Sequence, residues 1–261
     1  MKKLAVFGDS FVEGCRKKPS LTITKYNICH YLQKTLGVTV ENHGKNGASN
    51  QSIANAFVRW YTEEDRSDWT VLFVWTECKR ACDVHPKSAG SGKYDEWQYI
   101  TGAWERASLR ATGTYDRDPA ISRMWFEQSM LSCRMLCEDK SIPYLMTSSV
   151  ANEWFLNKQI VRKDSNGNFT LHDINFELGN SKENWIEGNS PNNSMLDIIS
   201  NNWLNRDRLD NINHFKFKRL LHDFDRGKHQ ETLTECLHPT DEGNKLIAET
   251  LAPYIKKKLE E

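Results

Sequence analysis

Short apolar runs that alternate with amphipathic stretches constrain the fold of this chain more than any other feature. Each run is rich in β-branched or aromatic residues and is bounded by polar or turn residues, which is typical of a buried strand. Runs that are apolar throughout indicate strands buried on both faces of a parallel sheet. The four predicted strands are Leu4–Phe7, Val38–Glu41, Val71–Trp75 and Ile142–Met146.

The stretches between these runs have the period of helices. Ser49 or Asn50 is available as the N-cap of the helix predicted over Asn50–Tyr61. We expect Pro253 to kink the helix predicted over Thr240–Leu259 or to end it early. Strands that alternate with helices predict a three-layer α/β/α sandwich with a mostly parallel sheet. The predicted helices are Tyr26–Leu36, Asn50–Tyr61, Pro119–Glu138 and Thr240–Leu259.

Length, charge and hydropathy limit the domain organisation and the partners. The 261 residues suit a single domain, 1–261, with two insertions at about 78–118 and 151–234 that break the strand–helix rhythm. Lys and Arg (35) balance Asp and Glu (35), so no net field attracts a polyanion, and we expect no nucleic acid and no membrane as partner. The mean hydropathy of −0.68 and the lack of an apolar run of about 18 residues exclude a transmembrane span.

The N-terminus and the cysteines indicate a reducing compartment. The apolar run at 4–7 is too short for the core of a signal peptide, so we expect a cytoplasmic protein. Seven scattered cysteines without a secretion signal predict reduced thiols. The pairs Cys78/Cys82 and Cys133/Cys137 lack partners at zinc-ligand spacing, so we interpret them as small buried hydrophobic residues and expect no metal.

A serine follows directly on the first predicted strand. In Gly8-Asp9-Ser10, the serine lies at the carboxyl edge of the sheet, where α/β proteins bind ligands. Gly8 permits a tight turn, and Asp9 can accept hydrogen bonds from nearby backbone N–H groups. The same tripeptide is also an ordinary turn sequence, so it does not predict a nucleophile by itself.

A histidine at the entrance to the last helix strengthens that interpretation. His238 is followed by Pro239, and Glu235 lies three residues before the histidine. Such a carboxylate can hold the imidazole in the tautomer that accepts a proton from a serine. His238 alone is equally consistent with a capping or surface histidine, but its combination with Ser10 favours nucleophilic catalysis.

Four blocks of sequence, in the expected order, resemble the SGNH (GDSL-type) hydrolase superfamily. The blocks are Gly8–Gly14, Asn42–Ser49, Val74–Glu77 and Glu235–Pro239. The resemblance covers about half of the chain and implies a five-stranded, flavodoxin-like sheet without a cofactor. It implies Ser10 as nucleophile, His238 as base and Glu235 as acid. The implied oxyanion hole consists of the backbone N–H groups of Ser10 and Gly47, with the Thr76 side chain as a third donor.

Two residues depart from the superfamily pattern. Thr76 stands where the family carries an asparagine that donates to the oxyanion, and its hydroxyl is a shorter donor. Glu235 replaces the usual aspartate and keeps the role with a longer reach. In the third block, phage-encoded members of the superfamily often carry Trp-Thr, as this chain does at Trp75-Thr76. The resemblance therefore includes phage-type members. If the chain is viral, association with the virion is the alternative to a cytoplasmic location.

The expected function is a serine esterase that hydrolyses a small acyl ester, with an O-acetyl group on a carbohydrate as the favoured substrate. Tryptophans in the insertions predict a wall that stacks on sugar rings; alternatively, they anchor the inserted segments to the body. They are Trp97, Trp104, Trp154, Trp185 and Trp203. Two other functions stay open: a catalytically degenerate binding or structural protein, such as a viral accessory protein, and acyl transfer to an acceptor other than water.

Overall fold

The structure is a computed structural model, and its regular elements follow the predicted strand–helix order. It describes residues 2–14, 25–63, 65–76, 125–149, 184–186, 194–200, 228–234 and 238–261, and the backbone of 84–85, 98–99, 119–124, 159–163 and 169–173. The strands are β1 (Lys3–Gly8), β2 (Thr39–Gly44), β3 (Trp69–Trp75), β4 (Val84–His85), β5 (Gln98–Tyr99), β6 (Tyr144–Ser148), β7 (Gln159–Lys163) and β8 (Phe169–Asp173). The helices are α1 (Ser10–Glu13), α2 (Ile28–Leu36), α3 (Asn50–Glu63), α4 (Pro119–Asp139), α5 (Met195–Ile199) and α6 (Asp241–Glu260).

Four parallel strands form the central sheet, in the order β2-β1-β3-β6. All four predicted strands are present, although β6 begins two residues later than predicted. The expectation that the second strand is buried is wrong, because β2 lies at the edge of the sheet and its residues are half-buried or exposed. On the outer side of β6, Met146 forms a parallel bridge with Trp185, and Ser148 forms one with Ser194. Within the described residues these two bridges occupy the position of the fifth strand that the resemblance implies.

Helices cover both faces of the sheet, which confirms the predicted three-layer α/β/α class. Alternate residues of β1 face opposite cores: Leu4 and Val6 pack with α2 and α6, whereas Ala5 and Phe7 pack with α3 and α4. The second core is aromatic, and Phe7, Phe57 and Phe73 in it are all 0% exposed. Full burial of such a side chain contributes roughly 1.5–3 kcal/mol, so the two cores hold the helices against the two faces of the sheet.

The helix ends show which polar residues act as caps. Ser49, and not Asn50, is the N-cap of α3, because its Oγ accepts from the Ser52 N–H at 3.2 Å. The expectation that Pro253 ends the last helix early is wrong, since α6 continues to Glu260. Pro253 is exposed, while Leu251 and Ile255 beside it are fully buried and hold the helix on the sheet.

The two predicted insertions contain small elements of their own. β4 pairs with β5 and β7 pairs with β8, both antiparallel, and α5 is a single short helix with a capping box at Ser194. Trp185 is only 6% exposed and belongs to the aromatic core, so this tryptophan anchors its segment to the body. The other tryptophans of the insertions, Trp97, Trp104, Trp154 and Trp203, lie outside the described residues, and the boundaries of the insertions stay predictions.

Candidate active site

Ser10 begins a one-turn helix at the carboxyl end of β1. Asp9 is the N-cap of this helix, and its Oδ1 accepts from the Phe11 N–H at 3.0 Å. A Cβ at Gly8 would lie 2.4 Å from Val12 Cγ2, so only glycine allows the turn to fold back this tightly. Ser10 is 3% exposed, and its position is set by a short, closely packed turn.

His238 meets this serine from the other end of the chain. Nε2 of His238 lies 2.8 Å from Oγ of Ser10, which is hydrogen-bonding distance. The imidazole also lies against the ring of Phe11, with the centroids 5.8 Å apart. The structure therefore brings together the two residues that the sequence predicts as nucleophile and base.

Local hydrogen bonds with Thr234 hold the backbone of His238. The His238 N–H donates to Thr234 Oγ1 at 3.1 Å, and the Thr234 N–H donates to the His238 carbonyl at 2.8 Å. These bonds hold Thr234 and His238 together. Glu235 lies outside the described residues, so its role as the acid stays a prediction.

The loop that carries Gly47 is attached directly to the nucleophile turn. The Lys45 N–H donates to the Gly8 carbonyl at 3.0 Å, and Asn42 Nδ2 donates to the Val12 carbonyl at 2.9 Å. The Asn46 N–H donates to the Glu13 carboxylate. Gly47 has a φ of +72° in a turn closed by the Ala48 N–H and the Lys45 carbonyl, a conformation that favours glycine.

Thr76 lies at the end of β3, and its hydroxyl is engaged within the protein. Its Oγ1 donates to Asp9 Oδ2 at 2.8 Å, and the side chain is 0% exposed. A hydroxyl has one proton, so in this arrangement the Thr76 proton goes to Asp9 and not to a substrate oxygen. The expectation that Thr76 is the third oxyanion donor is therefore not supported by its hydrogen bonding.

Two polar residues near this point were not singled out as site residues from the sequence. Asn50 binds the Thr76 backbone at both ends, with Oδ1 accepting from the Thr76 N–H at 2.9 Å and Nδ2 donating to its carbonyl at 3.1 Å. Ser149 follows β6 and donates to Asp9 Oδ2 at 3.0 Å. The signal that could have found Ser149 is its place just after a buried parallel strand, where polar residues gather around ligand sites.

The cysteines and acidic residues that the structure describes form no metal centre. Cys133 and Cys137 are 0% exposed free thiols, as predicted, and burial raises the pKa of both. Cys78 and Cys82 lie outside the described residues. Within the described part of the chain, no group of three His, Cys, Asp or Glu side chains could hold an ion. No helix there is long and apolar enough to cross a membrane.

Comparisons with known proteins find similarity only among solved structures. The chain matches no family model and no curated protein. It is similar to a member of the lipolytic G-D-S-L family from Veillonella parvula, at 11% identity and a TM-score of 0.42 over 97% of each chain. A lipase/acylhydrolase from Enterococcus faecalis matches at 12% identity and a TM-score of 0.33, over 98% of this chain and 96% of that one. The SGNH-hydrolase family esterase AlinE4 matches at 12% identity and a TM-score of 0.32, over 56% and 58%. Likenesses with TM-scores below 0.5 assign no activity, so the function is inferred from the geometry of the site.

Proposed function

We propose that this chain is a serine esterase of the SGNH type that hydrolyses a small acyl ester through an acyl-enzyme on Ser10. The observation that supports the proposal most is the 2.8 Å contact between Ser10 Oγ and His238 Nε2. A neutral imidazole at this distance can take the hydroxyl proton as the oxygen attacks a carbonyl carbon. The low exposure of Ser10 limits competing solvation of the nucleophile.

The reaction proceeds in two halves that share one base. In the first, Ser10 Oγ bonds to the ester carbonyl carbon while His238 takes its proton, and collapse of the intermediate expels the alcohol, which takes that proton from His238. In the second, His238 takes a proton from water, whose oxygen attacks the acyl-enzyme. Ser10 then leaves with the proton, and a free acid is released.

Backbone donors stabilise the charge that develops on the carbonyl oxygen. The proposed donors are the N–H groups of Ser10, at the turn after β1, and of Gly47, on the loop attached to that turn. Because several hydrogen bonds join the two segments, the donors are held in place before the reaction, and such preorganised donors lower the barrier most effectively. Glu235 is the proposed acid that orients the His238 imidazole.

The proposed substrate is an O-acetyl group on a carbohydrate. The support comes from the aromatic residues of the inserted segments, which suit stacking against sugar rings. Trp185 does not take part in such a wall, since it is buried in the core. A small acyl group fits the proposal better than a lipid chain, because the insertions contain no long apolar stripe.

Hydrolysis of p-nitrophenyl acetate by matched variants tests the reaction class. We expect Ser10→Ala and His238→Ala each to lower kcat by at least about 10³-fold. Ser67→Ala is the control, because Ser67 is exposed and precedes β3, at the opposite end of the parallel sheet from Ser10. A fluorophosphonate should label Ser10, located by peptide mass, and not the Ser10→Ala variant.

Absence of both turnover and labelling in the wild-type protein would instead support a degenerate binding or structural module. A panel of acetylated sugars and short-chain esters, assayed by acetate release with Ser10→Ala as the blank, tests the substrate class. Turnover of p-nitrophenyl acetate without release from any acetylated sugar would overturn the carbohydrate assignment and leave the esterase assignment intact. Adding candidate acceptor alcohols and analysing the products distinguishes acyl transfer from hydrolysis.

A further inference from the structure

The carboxylate of Asp9 joins the residues that follow three parallel strands, at the carboxyl ends of the strands, where Ser10 lies. Oδ2 accepts from Thr76 Oγ1 at 2.8 Å and from Ser149 Oγ at 3.0 Å, while Oδ1 accepts from the Phe11 N–H at 3.0 Å. Asp9 follows β1, Thr76 follows β3 and Ser149 follows β6. All three side chains are 0% exposed. We call Asp9, Thr76 and Ser149 the Asp9 clamp.

The two hydroxyl residues of the clamp are held by bonds of their own. Asn50 binds the Thr76 N–H and carbonyl, as described above. The Ser149 N–H donates to the Trp75 carbonyl at 2.8 Å, and its carbonyl accepts from the Leu196 N–H at 3.0 Å. Thr76 and Ser149 are thus fixed by their backbones, and their hydroxyls are two of the groups that locate the Asp9 carboxylate.

The Asp9 carboxylate in turn locates the nucleophile. Asp9 directly precedes Ser10 and caps the one-turn helix that Ser10 begins, so a shift of its carboxylate would strain the bond to the Phe11 N–H in the turn that carries Ser10. The contact between Ser10 and His238 is already within hydrogen-bonding distance. Misplacement of a reacting group by about 1 Å can cost on the order of 10²-fold in rate.

We propose that Thr76 and Ser149 are positioning residues, which act through Asp9 to hold Ser10 in line with His238. The inference rests on the proposed function and assigns Thr76 a different role from oxyanion donor. It also adds Ser149, which lies 140 residues from Asp9 along the chain. Buried polar networks of this kind fix one geometry when each member has its partner.

Removal of each hydroxyl tests the proposal through the kcat of p-nitrophenyl acetate hydrolysis. We expect Thr76→Val and Ser149→Ala each to lower kcat about tenfold, with KM changed less than about twofold, and Thr76→Ser to recover most of the loss. Thr70→Val is the matched control in β3, the strand that Thr76 follows. Thr70 is also 0% exposed, but its hydroxyl has no partner among the described residues, so its removal should leave kcat unchanged.

A double-mutant cycle separates positioning through Asp9 from direct donation to the oxyanion. In an Asp9→Asn background, the effect of Thr76→Val on kcat should shrink to less than about twofold, because the Asp9 carboxylate, through which Thr76 is proposed to act, is already lost. An undiminished tenfold effect in that background would overturn the role of Thr76. A wild-type kcat in Ser149→Ala would overturn the role of Ser149. If Asp9→Asn does not fold, the Ser10–His238 separation in a crystal structure of the Thr76→Val/Ser149→Ala variant makes this decision, because loss of a direct oxyanion donor would leave that separation unchanged.

A crystal structure of the Thr76→Val/Ser149→Ala variant gives a readout that does not depend on turnover. We expect the Ser10 Oγ to His238 Nε2 separation to exceed about 3.5 Å, the limit of a hydrogen bond. An unchanged separation would overturn the proposal. An inactive wild-type protein, by contrast, is a failure of the proposed function, and this structural comparison still decides whether the clamp positions Ser10.

Discussion

Ser10 Oγ and His238 Nε2 lie 2.8 Å apart although 228 residues separate them along the chain. Parallel strands explain the meeting, because the carboxyl ends of β1 and its neighbours lie at one edge of the sheet. The loop before α6 approaches the same edge, where Thr234 holds the backbone of His238. The sheet thus positions the serine, and the hydrogen bonds with Thr234 position the histidine.

Removal of the Thr234 hydroxyl should weaken catalysis by releasing His238. Thr234 Oγ1 accepts from the His238 N–H and lies 3.1 Å from the His238 carbonyl. We expect Thr234→Val to lower kcat about tenfold with little change in KM, since the base loses its fixed position. Steady-state kinetics on p-nitrophenyl acetate measure this. Thr234→Ser is the control and should retain most of the activity; equal losses in both variants would contradict a role for the hydroxyl.

Glu235 provides a test of the predicted acid. If it orients the His238 imidazole, Glu235→Gln should lower kcat by about 10²-fold or more, whereas Glu235→Asp should retain much of it. The measurement is again hydrolysis of p-nitrophenyl acetate. Glu231→Gln is the matched control, because Glu231 is exposed and lies four residues earlier. Wild-type kinetics in Glu235→Gln would assign the acid to another residue.

Gly44 lies where the nucleophile turn packs most closely on β2. A Cβ at this position would meet the Glu13 backbone nitrogen at 2.4 Å and the Val12 backbone carbonyl carbon at 2.8 Å. Backbone atoms cannot rotate away, so we expect Gly44→Ala to lower the free energy of unfolding by about 2 kcal/mol or more and to reduce kcat. Urea denaturation and p-nitrophenyl acetate kinetics measure the two effects.

Gly37 is the control for that substitution. It has a φ of +68°, but a Cβ there meets nothing within 4 Å. Gly37→Ala should therefore cost only the conformational strain, roughly 1 kcal/mol, and leave kcat unchanged. If Gly44→Ala and Gly37→Ala cost the same stability and both keep full activity, the close packing at Gly44 has no functional consequence.

Thr70 offers a stabilising substitution. Its hydroxyl is buried in β3 without a hydrogen-bond partner among the described residues. A buried polar group without a partner destabilises the folded state, so Thr70→Val should raise the free energy of unfolding by about 1 kcal/mol. Thr76→Val makes the same chemical change on a hydroxyl that is bonded to Asp9, and it should lower the free energy of unfolding. Urea midpoints that move in the same direction would contradict this interpretation.

Three described thiols should resist alkylation in the folded protein. Cys29, Cys133 and Cys137 are at most 5% exposed, and burial raises the pKa of each, which lowers the fraction of reactive thiolate. Iodoacetamide at pH 8, followed by peptide mass mapping, should leave these three unmodified until urea is added. Rapid modification of Cys133 without denaturant would show that α4 separates from the sheet.

Much of the fold could be predicted from local pattern. The strands and the main helices have periodicities and caps that act over a few residues, so β1, β3 and α6 appear close to their predicted positions. The early end expected at Pro253 did not occur, because burial of Leu251 and Ile255 outweighs one missing backbone hydrogen bond. The pairing of Ser10 with His238 was predicted as well, from two motifs at strand-to-helix edges.

The sequence by itself determined the α/β class, the buried strands β1, β3 and β6, and the two residues that meet at 2.8 Å. Only the tertiary structure decided the partner of the Thr76 hydroxyl and the part played by Ser149. Those side chains lie 67 and 140 residues from Asp9, and no local pattern encodes which buried donor reaches which acceptor. The choice follows from the fold as a whole, because a buried carboxylate takes its hydrogen bonds from the donors that the packed strands place beside it.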